Sequence, residues 1–348
     1  MHDEAWPYVA TLLPADLEES ARNSQALVRC RNVPNATALM RLTLAYAVSD
    51  LSLKDVAAWA DAMEVAKISG PGLFYRLKEA ENWLQQVLAS TLQVDVVARP
   101  VGLSGSIRIV DATVITGPGS KGTDWRAHVL VDPATGGLRS VEITDCHGGE
   151  SYSRLSPEPG EILLGDSAYA RAKGIAAVRR DSAHVVVRLN LQAIRICTPD
   201  CQVLHVPSLA ELVPQVGPRE WPILVPIPPQ GSEHGWKLSK AQGWIPARLV
   251  GARTRTGEVI WLLTTLPEEA LSAVQALRLY RLRWQVELAF RRLKSLLHVD
   301  TLPTRAGPTA KSWLLARFLA AALAQRLAQP AGPISPWGYE LHEARLHA

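Results

Sequence analysis

The sequence predicts an α/β protein, a mixed sheet flanked by helices, with a helical N-terminal domain and an all-β insertion ahead of the last long helices. Three observations predict it. Residues 1–98 carry helical spacing throughout, the texture turns to alternating strands at Gly105, and residues 190–265 are rich in Val, Ile, Pro, Gly and Trp without a convincing helix. The expected divisions are 1–100, a helical domain; 101–190, the first part of the α/β core; 191–265, the β-rich insertion; and 266–348, the rest of the core. A chain of 348 residues has room for two or three domains with a sizeable core.

In the helical part, Asn35 to Val48 and Leu53 to Met63 keep a helical rhythm, and Ser52 with Asp55 reads as an N-terminal cap pair. Ser69-Gly-Pro-Gly72 reads as a turn, and Leu73 to Leu92 as a further amphipathic helix. Two helices across a short turn suit either a plain bundle or a DNA-reading pair, in which Tyr75, Arg76 and Lys78 would face the nucleic acid.

The strands follow in order. Ser106 to Thr116 alternates, with Asp111 in its interior. Ala127 to Val131 and Leu138 to Thr144 are joined by a turn at Asp132–Gly137. Glu161 to Asp166 is a short apolar strand ending on an acid, Tyr169 to Arg180 is helical, and His184 to Leu189 is a strand. Trp244 to Arg253 and Glu258 to Thr265 make a hairpin within the insertion. Pro267-Glu-Glu opens a long helix, with Pro and acids in its first turn, and Thr309 to Ala328 closes the chain's helical part.

Composition narrows the class. Hydrophobic content of 47% and charged content of 20% describe a globular protein. The net charge is +4, yet residues 1–100 hold nine Lys/Arg against twelve Asp/Glu, so the remainder carries +7 and favours a polyanionic partner. Four cysteines, Cys30, Cys146, Cys197 and Cys201, form no secreted disulfide framework. Cys197-x3-Cys201-x3-His205 lacks a fourth ligand at zinc-site spacing. No signal peptide is read, and Arg317, Gln325 and Arg326 interrupt the most apolar late stretch, so no membrane span is expected. A cytoplasmic protein is expected.

The stretch Tyr280–Lys294 concentrates the chemistry. At about 100° per residue, Tyr280, Arg283, Glu287 and Lys294 share roughly 60° of arc, while Leu282, Val286, Ala289, Leu293 and Leu297 form an apolar stripe opposite. Between Ala270 and Leu297 there are six Lys/Arg and one acid. By charge pattern alone, Arg283 and Arg291 at i−4 and i+4 of Glu287 also suit a solvated salt-bridge ladder. The spacing Tyr-x2-Arg-x3-Glu-x6-Lys, however, resembles the YREK signature of DDE transposases from bacterial cut-and-paste insertion sequences.

Hydrolysis or transfer of a phosphodiester is served by two divalent ions about 3.5–4 Å apart, and hard ions want oxygen ligands. Asp111, Asp166 and Glu287 are the candidate ligands. The resemblance implies a ribonuclease-H-like fold, with Asp111 bridging two Mg²⁺ ions (Mn²⁺ a substitute) and Asp166 and Glu287 each holding one. It assigns Tyr280, Arg283 and Lys294 to the phosphates at the cut, and Arg291 is a further candidate DNA contact. Tyr280 also suits an ordinary half-buried aromatic. Trp236 and Trp244 suit packing, or a base flipped out during hairpin formation. The resemblance further implies double-stranded DNA as partner, at element ends and target, and a homodimer. Only 61 residues follow Glu287, so an interface on a longer C-terminal domain is not expected. The expected function is metal-dependent DNA cleavage at element ends with strand transfer into a target. The alternatives are a catalytically silent DNA-binding regulator and a stand-alone metal nuclease of the same fold.

Overall fold

The computed structural model describes residues 5–49, 51–92, 105–133, 135–232, 235–284, 286–287, 290–291, 293–294, 298, 302–303 and 307–328. Six helices come first: α1 Trp6–Thr11, α2 Leu17–Asn23, α3 Ala36–Val48, α4 Leu53–Ala62, α5 Gly70–Glu79 and α6 Glu81–Leu92. Caps fix where they begin. The Asn35 side chain accepts from the Ala38 amide at 2.7 Å to start α3, and Ser52 with Asp55 closes a reciprocal capping box on α4.

Two expectations here are corrected. The residues read as a turn at Gly70-Pro-Gly72 are the first turn of α5: Ser69 caps it, and Pro71 sits where a helix start tolerates proline. The stretch Leu73–Leu92 is two helices, broken at Ala80, whose amide bonds back to Leu77 rather than continuing the α ladder. The apolar rhythm runs through Ala80 without a sign of that break.

Eight strands form one sheet in the order β3-β2-β1-β4-β5-β8-β7-β6. They are β1 Ile107–Ile115, β2 Trp125–Val131, β3 Leu138–Asp145, β4 Ile162–Gly165, β5 His184–Arg188, β6 Pro218–Ile227, β7 Gly243–Arg253 and β8 Val259–Thr264. β1, β2 and β3 form an antiparallel meander, whereas β4 lies parallel to both β1 and β5. Helix α7, Ala172–Arg180, makes the crossover that a parallel β4–β5 pair requires. The strands of the β-rich segment extend this same sheet, β8 pairing antiparallel with β5 and the predicted hairpin forming between β7 and β8.

Each face of the sheet has its own apolar layer. Ile107, Ile109 and Ile115 of β1 join a core with α3, α5, α6 and the last described helix, α9, Gly307–Ala328. Val110 and Leu163 point the other way, against Ile175 and Val178 of α7 and the rings of Tyr152 and Tyr169. Leu314, Leu315, Phe318 and Leu319 of α9 are fully buried, because the helix is enclosed between the N-terminal helices and β3. The Ser312 hydroxyl donates to the Leu77 carbonyl at 2.6 Å and the Leu138 amide donates to Gln325 at 3.1 Å, tying α9 to both neighbours. No helix among the described residues is long and apolar enough to cross a membrane.

The long helix expected from Pro267 is also corrected. Ser272 and Gln275 form a capping box, so α8 starts at Ala273 and runs to Arg281, followed by a 3₁₀ turn at Leu282–Trp284. Pro267-Glu-Glu lies ahead of it in turns, where the Arg248 guanidinium of β7 donates to the carbonyls of Leu266 and Leu271 and to the Glu220 carboxylate. Helical backbone resumes at Val286 and Glu287. Val286 and Leu293 of the predicted apolar stripe are buried and Leu282 is half-buried, while Ala289 and Leu297 lie outside the described residues.

Candidate active site

The geometry begins with strand register. Ile107, Arg108 and Ile109 pair with Ile162, Leu163 and Leu164 across the parallel β1–β4 ladder. Two residues further along stand Asp111, still within β1, and Asp166, one residue past the end of β4. Successive side chains alternate faces, so Asp111 shares its face with Ile109, the face covered by the helical layer. β4 ends at Gly165, and Asp166 turns the chain: its side chain accepts from the Ala168 amide at 2.8 Å and caps the 3₁₀ turn Ser167–Tyr169. The capping role expected of an acid at a strand end and a place beside Asp111 therefore coexist.

Asp111 is a carboxylate mostly withdrawn from water, its side chain 15% exposed. One oxygen accepts from the Ala112 amide at 2.8 Å. Burial pushes its pKa from 3.8 up to about 6; Asp166 and Glu150 add to the rise, and the Ala112 amide and Arg283 oppose it. Glu287 presents its carboxylate to solvent, 56% exposed.

Arg283 joins the two. Its guanidinium lies 3.4 Å from Asp111 and 2.7 Å from Glu287. The 3₁₀ turn at Leu282–Trp284 carries Arg283, while Tyr280 lies in the last turn of α8. Tyr280 is half-buried, and its pKa is pushed up to about 12, first by burial, with Asp166 and Asp111 adding to it against Arg283 and Arg188. Its hydroxyl is therefore protonated at neutral pH and can act as a donor.

The other predicted residues are spread more widely. Lys294 is half-buried and Arg291 exposed, both on helical backbone beyond Glu287. Arg76 and Lys78 stand on α5; Arg76 donates to the Arg29 carbonyl at 2.7 Å, and Lys78 is exposed with Tyr75. Of the two tryptophans singled out, Trp236 lies under the Arg195 guanidinium, 4.7 Å from its ring centre, and Trp244 pairs with Pro226 in the β6–β7 ladder.

Among the described residues no three His, Cys, Asp or Glu side chains are gathered closely enough to hold one ion. The Arg283 guanidinium lies between the carboxylates of Asp111 and Glu287. The donor set nonetheless fits a divalent ion: three carboxylates, all oxygen donors, with a cation already between two of them.

Sequence reasoning missed Glu150. It sits in the loop after β3, half-buried, 3.7 Å from Arg126, with its pKa raised by burial and then by Asp166. Its setting, Cys146-His-Gly-Gly-Glu150, carries no strand-end signal. The rings of Tyr152 and Tyr169, 5.2 Å apart, form a buried floor beneath Gly165. A side chain at Gly165 would stand 2.3 Å from the Tyr152 hydroxyl, so only glycine lets β4 approach that floor.

The family described as Transposase DDE domain matches residues 102–323. The InsL protein of insertion sequence element IS186A from Escherichia coli (strain K12) is 34% identical over 345 residues, covering 93% of each chain. The transposase of insertion sequence element IS421 from Escherichia coli is 34% identical over 346 residues with the same coverage. Among solved structures, the piggyBac transposase synaptic complex with hairpin DNA aligns with a TM-score of 0.44 and 8% identity, over 93% of this chain and 74% of that one. On the family match and the two insertion-element relatives, the chain belongs to the DDE transposase family.

Proposed function

We propose that Asp111, Asp166 and Glu287 are the metal-holding acids of this transposase, an enzyme that cuts DNA and transfers the cut strands. The observation that carries the reading is that Arg283 ties Glu287 to Asp111, which stands in the strand paired with β4, and Asp166 follows directly on β4. The family depends on divalent metal. By the oxygen-only chemistry of the donors we assign two Mg²⁺ ions, with Mn²⁺ as a substitute. Ions held there would activate the attacking oxygen and stabilise the leaving one.

The chain's own residues do the rest. Arg283 exchanges its carboxylates for a DNA phosphate, which a guanidinium grips bidentately, and Tyr280 donates to the same backbone. Lys294 and Arg291 extend the cationic face along the DNA, and α5, with Arg76 and Lys78, contacts the element end. Burial around Asp111 keeps water from screening these charges.

The finer architecture belongs to the same reading. Strands β1 to β5 are read as a ribonuclease-H-like core, with residues 191–265 as the insertion that separates Asp166 from Glu287, and residues 1–100 as the end-binding domain. The DNA substrates are element ends and a target, handled by a homodimer in the bacterial cytosol. The test is cleavage and joining of the element's own ends by the wild type and Glu287→Gln. Cleavage lost in the variant with end binding kept supports the reading, and cleavage retained removes Glu287 from the metal site. Cleavage without joining to a second DNA would mark a nuclease.

A further inference from the structure

A cleft of about 1100 Å³ opens beside the loop that carries Glu150. One wall is that loop with the first turn of α7; the other is built from residues 191–196 and 203–207 and from the approach to Trp236. Its volume exceeds the roughly 300–1,000 Å³ of small-molecule sites. The charged lining is Arg154, Arg171, Lys173 and Arg195 against a single acid, Glu150.

The charges are arranged in order. Tyr152, in the same loop as Glu150, packs directly beneath Gly165, the residue before Asp166, so that end of the cleft adjoins the catalytic acids. Arg154 is balanced by Glu142 at 3.0 Å, and the charge of Arg171 acts on Glu150. Lys173 and Arg195 stand along the remaining walls. Arg195 is held ready, its guanidinium over the Trp236 ring and donating to the Trp236 carbonyl at 3.2 Å. A fixed guanidinium loses less freedom when it meets a phosphate.

We propose that this cleft carries the phosphate backbone of the DNA strand as it passes away from the catalytic acids, with Lys173 and Arg195 neutralising its phosphates. The proposal rests on the assignment of Asp111 and Asp166 to catalysis. A cation-lined trough larger than a small-ligand site, beginning at acids that act on phosphodiesters, suits a polyanionic chain. Its four cations outnumber the one acid, Glu150, so the balance of charge along it favours phosphates.

The test is the salt dependence of binding of a fluorescein-labelled 30-nucleotide single strand of mixed sequence, read by fluorescence anisotropy on the full chain. Each neutralised phosphate contributes about 0.7 to the slope of log affinity against log salt for a single strand. The double variant Lys173→Ala with Arg195→Ala is expected to flatten the slope by about 1.4. The charge-keeping pair Lys173→Arg with Arg195→Lys should retain it, as should Arg180→Ala at the far end of α7. If the double variant does not fold, Lys173→Gln alone should flatten the slope by about 0.7. An unchanged slope in the charge-removing variants, or an equal loss in Arg180→Ala, would overturn the proposal. Mg²⁺-dependent cleavage by the wild type reports separately on the catalytic assignment, so the two can fail independently.

Discussion

The guanidinium of Arg283 lies 3.4 Å from the carboxylate of Asp111, although 172 positions separate the two residues in sequence. Arg283 stands in the 3₁₀ turn Leu282–Trp284, which follows directly on α8, the helix that Ser272 and Gln275 start at Ala273. The same group donates to Glu287, so one cation holds two acids that lie 176 positions apart in sequence.

A cation between two carboxylates competes with any metal ion that seeks them. Removing it should therefore tighten metal binding in the absence of DNA while weakening catalysis. Partly exposed ion pairs are worth about 0.2–1 kcal/mol each, so Arg283→Ala should bind Mn²⁺ a few-fold more tightly, up to about tenfold. Titration followed by electron paramagnetic resonance of free Mn²⁺ measures this. Weaker binding by the variant would mean that Arg283 organises the acids instead of occupying the ion's place.

The burial of Asp111 has a consequence for stability. Its folded pKa of about 6 exceeds the ordinary 3.8, so between these values the folded chain binds more protons than the unfolded one. Stability from this group is then lost as pH rises from about 4 to about 6. Asp111→Asn keeps an oxygen for the Ala112 amide and carries no charge. In EDTA it should match the wild type near pH 4 and exceed it above pH 6 by on the order of 2–3 kcal/mol. Urea unfolding across that range checks the sign; a gap that is constant with pH would refute the buried-charge account.

Gly165 is expected to tolerate no side chain. A Cβ there meets the Tyr152 hydroxyl at 2.3 Å and the Tyr169 Cβ at 3.0 Å, both on fully buried residues. Overpacking of this kind costs about 1–3 kcal/mol. Because Asp166 follows directly, Gly165→Ala should lower cleavage by more than its loss of stability explains. Thermal melts and cleavage rates measured on the same preparation separate the two.

Much of this was legible in the sequence, for physical reasons. Alternation in Ser106–Thr116 and the apolar run Ile162–Leu164 locate strands because one residue in two must meet a core. The spacing of Tyr280, Arg283 and Glu287 located the helical segment that reaches Asp111. What escaped depends on contacts between distant segments. The start of α8 hinges on Ser272 and Gln275, and Pro267-Glu-Glu offered a competing start signal of similar local strength. Glu150 lies in a glycine-rich loop, and only the fold brings it under the influence of Asp166. Arg283 read as a phosphate contact, and the fold gives it the carboxylates of Asp111 and Glu287 as partners.

The most direct test compares the wild type with Asp111→Ala in Mg²⁺-dependent cleavage of DNA bearing the element's own ends. The account predicts cleavage by the wild type, none by the variant, and end binding by both. Cleavage by Asp111→Ala at the wild-type rate would contradict it, since the acid on β1 would then play no part in the chemistry.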